Sequence, residues 1–311
     1  MIEIRNLTKS FGDMRAVDDV SLRLDRGSIT AIVGTSGSGK STLLRMVNRL
    51  VEPDGGEVLL NGQSTRSVPQ AALCRQMGYV IQDHGLFPHW TVRRNIGTVP
   101  QLLGWQRARI DARVDEVMRL LQLDPSIFAG RYPHELSGGQ SQRVGVARAI
   151  AAAPDVLLMD EPFGALDPVI RADAQQVLRD VHRASGTTIL MVTHDMGEAM
   201  LLADRIAVMD AGRIVQCDAP DRIITHPANA FVRALITDSE RAFRHLALLP
   251  AAPLITDMPA AGEALPRNST LAAVLAAMIW SGRSQVPMAD DTGQVIGSIE
   301  LSDVIQAGRP T

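Results

Sequence analysis

Short β-branched runs at residues 2–4, 17–24 and 29–33 predict strands. The last of them runs into glycines and then into the helical pattern of 40–50, a strand–loop–helix order. Residues 156–159 and 188–192 are continuous apolar runs, as strands covered on both faces of a parallel sheet require. Between them, 169–183 is amphipathic. Strands alternating with helices predict an α/β chain with a largely parallel central sheet. Residues 88–150 read as mostly helical, an insertion into that frame. The runs 206–209 and 214–217 flank Asp210-Ala211-Gly212-Arg213, a hairpin-like turn.

The pattern changes after about residue 236. Residues 246–266 are rich in Ala and Pro and poor in charge, which reads as a linker or an irregular packed segment. A small α+β unit follows: a helix at 270–279, strands at 284–288 and 295–299 about the turn Asp291-Thr292-Gly293, and a short helix at 301–305. The expected division is a main domain at 1–236, a linker at 237–266 and a small unit at 267–311.

A chain of 311 residues has room for such a pair without a disulfide or metal staple. Its net charge of -3 argues against nucleic acid as the main partner, because neutralising phosphates needs a basic excess or face. The two cysteines, Cys74 and Cys217, stand in no paired spacing, which excludes a disulfide scaffold and a four-Cys zinc site and fits a reducing compartment. The opening MIEIRNLTKSFG carries charges throughout and shows no export signal. No apolar stretch approaches the roughly 18 to 20 residues of a membrane helix. The expectation is a soluble chain that another chain must hold if it works at a membrane.

Gly34-Thr35-Ser36-Gly37-Ser38-Gly39-Lys40-Ser41-Thr42 matches the phosphate-binding loop pattern and sits after a strand and before a helix. Glycines there let successive backbone N–H groups point at phosphate oxygens, and the helix N-terminus adds a favourable field. Lys40 neutralises β/γ charge and Ser41 can ligate Mg²⁺. The run 156–161 ends in Asp160 and Glu161. A strand ending in acid delivers Asp160 to the Mg²⁺ shell, and Glu161 can take a proton from water attacking the γ-phosphate.

Leu136-Ser137-Gly138-Gly139-Gln140 places Ser and two glycines at a helix start, a second anion-receptive N-terminus. A phosphate loop joined to this pentapeptide resembles the ATP-binding subunits of ABC transporters, over residues 1 to about 236. The resemblance implies a P-loop NTPase fold of ABC type, with a mostly parallel central sheet, an antiparallel N-terminal β subdomain and a helical subdomain. It implies ATP and Mg²⁺ as ligands. Phe11 falls where an aromatic stacks on adenine, Gln82 matches the Q-loop glutamine, Asp167 the D-loop acid and His194 the switch histidine. The catalytic set is then Glu161, His194, Gln82 and Lys40, and the metal set Ser41, Gln82 and Asp160. The resemblance implies that Phe11, Gly34, Ser36, Gly37, Gly39, Lys40, Ser41, Thr42 and Asp167 bind nucleotide, and that Ser137, Gly138, Gly139 and Gln140 of a second copy cover the γ-phosphate across a two-fold dimer. Three departures leave the catalytic groups in place: Ser141 where Gln is common, Phe11 where Tyr is usual, and Gly164 for a frequent Ser.

The stretches 85–89 and 95–105 resemble the ATPases of quaternary-amine importers, those for glycine betaine, choline and carnitine. Another solute, a polyamine or an amino acid, stays open as an alternative. A soluble ABC ATPase acting on nucleic acid or ribosomes lacks its usual second cassette, coiled coils or basic arms here. The implied partners are a second copy, integral-membrane permease subunits and, indirectly, a substrate-binding protein, with no nucleic acid. The implied place is the cytoplasmic face of the inner membrane, peripheral and held by the permease. Residues 267–311 resemble a single CBS motif. Glu300 stands where Thr usually helps hold phosphate, and a carboxylate repels phosphate, so a packing or dimerisation module is expected there.

Overall fold

The structure, a computed structural model, describes residues 2–81, 85–164 and 166–309, with the backbone alone at 238 and 239. It divides into two compact units between Asp218 and Ala219.

In the first unit the strand order of a six-stranded sheet is Arg213–Asp218, Arg205–Asp210, Ile29–Val33, Thr188–Thr193, Val156–Asp160, Met77–Val80. The first pair is antiparallel and the rest are parallel. Every residue of Ile29–Val33, Val156–Asp160 and Thr188–Thr193 is buried, which is why these strands are runs and not alternations in the sequence. A four-stranded antiparallel sheet lies beside it, ordered Met14–Leu24, Ile2–Phe11, Gly55–Leu60, Gln63–Ser64. The two sheets share one core with the helix Lys40–Val47, whose Leu43, Leu44, Met46 and Val47 meet Ile4, Leu22, Leu158 and Leu190. Each such side chain contributes about 1.5–3 kcal/mol by leaving water.

The helical segment expected at 88–150 is present as Val92–Ile96, Thr98–Leu102, Arg107–Leu120, Pro125–Phe128 and Gly138–Ile150. The first strand extends well past the apolar run 2–4. Asn6 takes a left-handed φ of 46° and the pairing register shifts twice between Ile4 and Lys9, so bulges carry the polar residues along the ladder. The strand Met77–Val80 and the helix Met196–Leu202 are additions to the elements the pattern predicts.

The second unit corrects the expected boundaries at 236 and 266. Helices Pro220–Thr225 and Ala230–Ala234 belong to it, and the supposed linker holds the helix Asp238–Leu248. Thr237 caps that helix, its hydroxyl accepting from Glu240 N at 3.3 Å. Leu246 and Ala251 enter a core with Leu271, Val274, Met278, Val286, Met288, Ile299 and Val304. Thr256 and Ser298 exchange both backbone hydrogen bonds at 2.9 Å. The low charge that suggests a linker reflects this burial of Ala and Leu. From Leu265 onward the order is strand Leu265–Pro266, helix Leu271–Ser281, strands Gln285–Ala289 and Val295–Glu300, helix Leu301–Ala307, with the three strands in one sheet. Among the described residues, no helix is long and apolar enough to cross a membrane.

Candidate functional site

The loop after Ile29–Val33 leads into the helix Lys40–Val47 through Gly39, which caps it at φ 101° with no side-chain hydrogen bond. A glycine brings no side-chain oxygen to the first-turn N–H groups. A Cβ on Gly39 would stand 2.0 Å from the Ala16 carbonyl oxygen, and one on Gly34 2.1 Å from that of Met209, so neighbouring backbone packs directly against the loop. Thr35, Ser36 and Gly37 are exposed, and Ser41 and Thr42 are half-buried.

Lys40 is buried, and its ammonium donates to the carbonyls of Gly34 at 2.9 Å and Thr35 at 2.7 Å. Burial pushes its pKa down, opposed by the charges of Glu161 and Asp160. Ser41 Oγ donates to Asp160 Oδ1 at 2.8 Å, and Arg45 Nη2 donates to Asp160 Oδ2 at 3.2 Å. Asp160, 2% exposed, ends its strand beneath the loop. A serine hydroxyl and a carboxylate meeting at one point offer the hard oxygen pair that Mg²⁺ takes when phosphates supply further ligands. These donors fit that ion.

Glu161 follows in a left-handed conformation, φ 46°, an uncommon state for a residue with a side chain. Its N–H is bound to the Val192 carbonyl at 2.9 Å and Phe163 beyond it is buried, so the surroundings hold the turn. Glu161 Oε2 lies 3.2 Å from His194 Nδ1, which brings together the ends of two adjacent parallel strands. The carboxylate is mostly covered and the imidazole more than half open.

Ser137 caps the helix Gly138–Ile150. Its hydroxyl accepts from Gln140 N at 3.3 Å, while Gln140 Oε1 accepts from Ser137 N at 3.0 Å, a reciprocal capping box. Gly139 has no room for a side chain, since a Cβ would meet Ile170 Cγ2 at 2.3 Å, and Gly138 faces Leu166. Among the described residues, no hydrogen bond joins Ser137–Gln140 to the loop 34–42 of the same chain. Asp167 is exposed and caps the helix Pro168–Ser185, accepting from Val169 and Ile170 N–H at 3.1 Å each. Phe11 ends the first strand 48% exposed, with Lys9 Nζ 5.5 Å from its ring centroid and Lys9 paired to Asp54. Gln82 lies outside the described residues.

Three charged residues of this region are additions to the expected set: Arg45 on Asp160, and Arg171 and Glu198 behind His194. Arg45 stands one turn after Ser41 on the same helix face, a spacing legible in the sequence. The other two had no local signal.

A family model described as ABC transporter matches residues 17–164. The chain is 50% identical, over 98% of its own length and 99% of the relative's, to the glycine betaine uptake system ATP-binding protein YehX of Escherichia coli strain K12. It is 46% identical, over 83% of its length and 69% of the relative's, to the osmoprotectant import ATP-binding protein OsmV of Salmonella typhimurium. Among solved structures, the dimeric MJ0796, a bacterial ABC transporter cassette, superposes with a TM-score of 0.64 at 31% identity, over 71% of this chain and 99% of that one. The sequence match runs end to end along a whole relative and the fold match spans the unit that carries the loop; the chain belongs to the ABC transporter family, as one of its ATP-binding proteins.

Proposed function

We propose that this ATPase energises an importer of quaternary-amine osmoprotectants of the glycine betaine, choline and carnitine kind. The end-to-end match to a glycine betaine uptake ATP-binding protein carries the solute class. The meeting of Lys40, Ser41, Asp160, Glu161 and His194 at one sheet edge supports the chemistry.

In this reading two copies close on two ATP molecules, as the dimeric cassette that this fold resembles suggests. The loop 34–42 wraps the phosphates, and Lys40 moves from its carbonyl partners onto the β/γ oxygens. Phe11 offers its open ring face to adenine. Ser41, Asp160 and Gln82 would hold Mg²⁺, which would supply charge neutralisation of the phosphates. Glu161 takes a proton from the attacking water, while His194, with Nδ1 on Glu161, turns Nε2 to the γ-phosphate. Ser137–Gln140 of the second copy brings a capped helix start to the same phosphate, and Asp167 borders that crossing. Closure is favoured by contacts made only to the triphosphate, so hydrolysis lets the pair open.

The partners in this reading are permease subunits that hold the chain at the cytoplasmic face of the inner membrane, and a substrate-binding protein that delivers solute. The strand–helix–strand–strand–helix order from Leu265 onward supports a CBS-like unit at the C-terminal end that packs or pairs. ATP hydrolysis by the complex with permease and binding protein, in liposomes, tests the solute. Stimulation by glycine betaine, choline or carnitine and none by spermidine is the expected result; stimulation by spermidine alone sinks it.

A further inference from the structure

Behind the Glu161–His194 contact lies a small polar network that the roles above leave unused. Thr193 Oγ1 donates to Glu198 Oε2 at 2.6 Å and accepts from Asp195 N at 3.0 Å, so the residues on both sides of His194 belong to it. Asp195 Oδ1 also caps the next helix, through Gly197 N at 2.7 Å. Arg171, from the first turn of Pro168–Ser185, enters from the opposite side. Its Nη1 lies 3.4 Å from Asp195 Oδ2, its Nη2 donates to the Leu166 carbonyl at 3.1 Å, and its Nε is 3.8 Å from Glu198 Oε1. One guanidinium thus touches the residue after His194 and the residue before Asp167.

We propose that Arg171 is a positioning residue for hydrolysis, whose guanidinium ties the turn bearing His194 to the turn bearing Asp167 so that the two are set together. The proposal rests on the nucleotide-site reading above and adds to it a physical link between the switch histidine and the edge expected to face the second copy.

Two features of this pair bear on the role. Glu198 is 4% exposed, and burial pushes its carboxyl pKa up, so it needs a cationic neighbour to stay charged. Among the described residues, Arg171 Nε is buried without a hydrogen-bond partner, and at 3.8 Å it sits close to Glu198 without engaging it. Arg–carboxylate pairs frequently close to two parallel bonds, and this one has not. Here a shift of the guanidinium by about an ångström would bring Nε into hydrogen-bond range of Glu198, while its other nitrogens stand on Asp195 and Leu166. The planar fork is needed for this, since a lysine ammonium cannot span the Asp195 carboxylate and the Leu166 carbonyl in the same way.

The test compares kcat and ATP Kd of the full chain as wild type, Arg171→Met, Arg171→Lys, His194→Ala and the double variant Arg171→Met/His194→Ala. Arg171→Met is expected to lower kcat about tenfold with ATP Kd changed less than about twofold, the size of a lost coupling between sites. The double variant should be no slower than His194→Ala alone, because Arg171 then has no histidine to position. If Arg171→Met does not fold, Arg171→Lys carries the test, with the wild-type melting temperature kept and kcat reduced. Wild-type kcat in the folded variants, or losses that multiply in the double, would overturn the proposal. A His194→Ala variant of normal rate would instead overturn the reading of the site on which it rests.

Discussion

Ser41 Oγ donates to Asp160 Oδ1 over 2.8 Å, joining the first turn of a helix to the end of a strand 119 residues later. Helix and strand meet there because Ile29–Val33 and Val156–Asp160 both pair with Thr188–Thr193, which brings their C-terminal ends to one edge. Asp160→Asn keeps the shape and removes the charge. Mg²⁺ affinity of the ATP-bound chain is expected to fall by about 100-fold or more, the upper end for even an outer-shell change. Titrating Mg²⁺ against bound fluorescent ATP reads it, and an unaltered midpoint removes Asp160 from the metal set.

Glu161→Gln should leave ATP binding intact and slow turnover by about 100-fold to 10,000-fold, the range for a lost general base. The substitution is close in shape, so the strained turn at φ 46° stays as it is. Steady-state hydrolysis set beside equilibrium binding separates the two effects. A normal kcat would assign the base elsewhere.

Gly39 and Gly37 both have positive φ, 101° and 80°, but only Gly39 has the Ala16 carbonyl where a Cβ would go. Gly37→Ala faces open space and costs the left-handed penalty of about 1–2 kcal/mol. Gly39→Ala adds a backbone clash to its own strain, so it should lower the melting temperature further and also lose ATP. Equal melting temperatures for the two variants would show that the loop tolerates the displaced backbone.

Stability should carry the imprint of Glu198. Its carboxyl has an ordinary pKa near 4.5 and is raised in the folded chain, chiefly by burial. Between those two values the folded state binds more protons than the unfolded one, so stability falls as pH rises through the window. Glu198→Gln has no such group. Its melting temperature should therefore gain on wild type as pH rises above 4.5, levelling once the folded carboxyl is ionised. A difference independent of pH would show that burial does not disfavour this charge.

Much of the site was legible from short stretches of chain. The loop 34–42, the acid pair at 160–161 and the Ser137–Gln140 box each act within a few residues, through backbone freedom, strand termination and capping. Arg45 could have been read from its spacing to Ser41. Arg171 and Glu198 could not, because their partners come from different elements and their meaning depends on burial. The stretch 246–266 read as a linker or an irregular packed segment, and that choice stayed open for a related reason. Low charge with Ala and Pro describes a loop in solvent and a packed segment equally well, and only the presence of a core for Leu246 and Ala251 decides between them.

The sequence by itself determined the local conformations: which strands are covered on both faces, where helices are capped, and where the backbone curls at the glycines of the loop 34–42. Those follow from side chains a few residues apart and from periodicity. The tertiary structure alone decided that Ser41 meets Asp160, that Glu161 faces His194, and that one arginine touches both turns behind them. Sheet order sets these meetings, and it is chosen by how the whole set of apolar faces can be buried at once, a condition no single stretch of the chain contains.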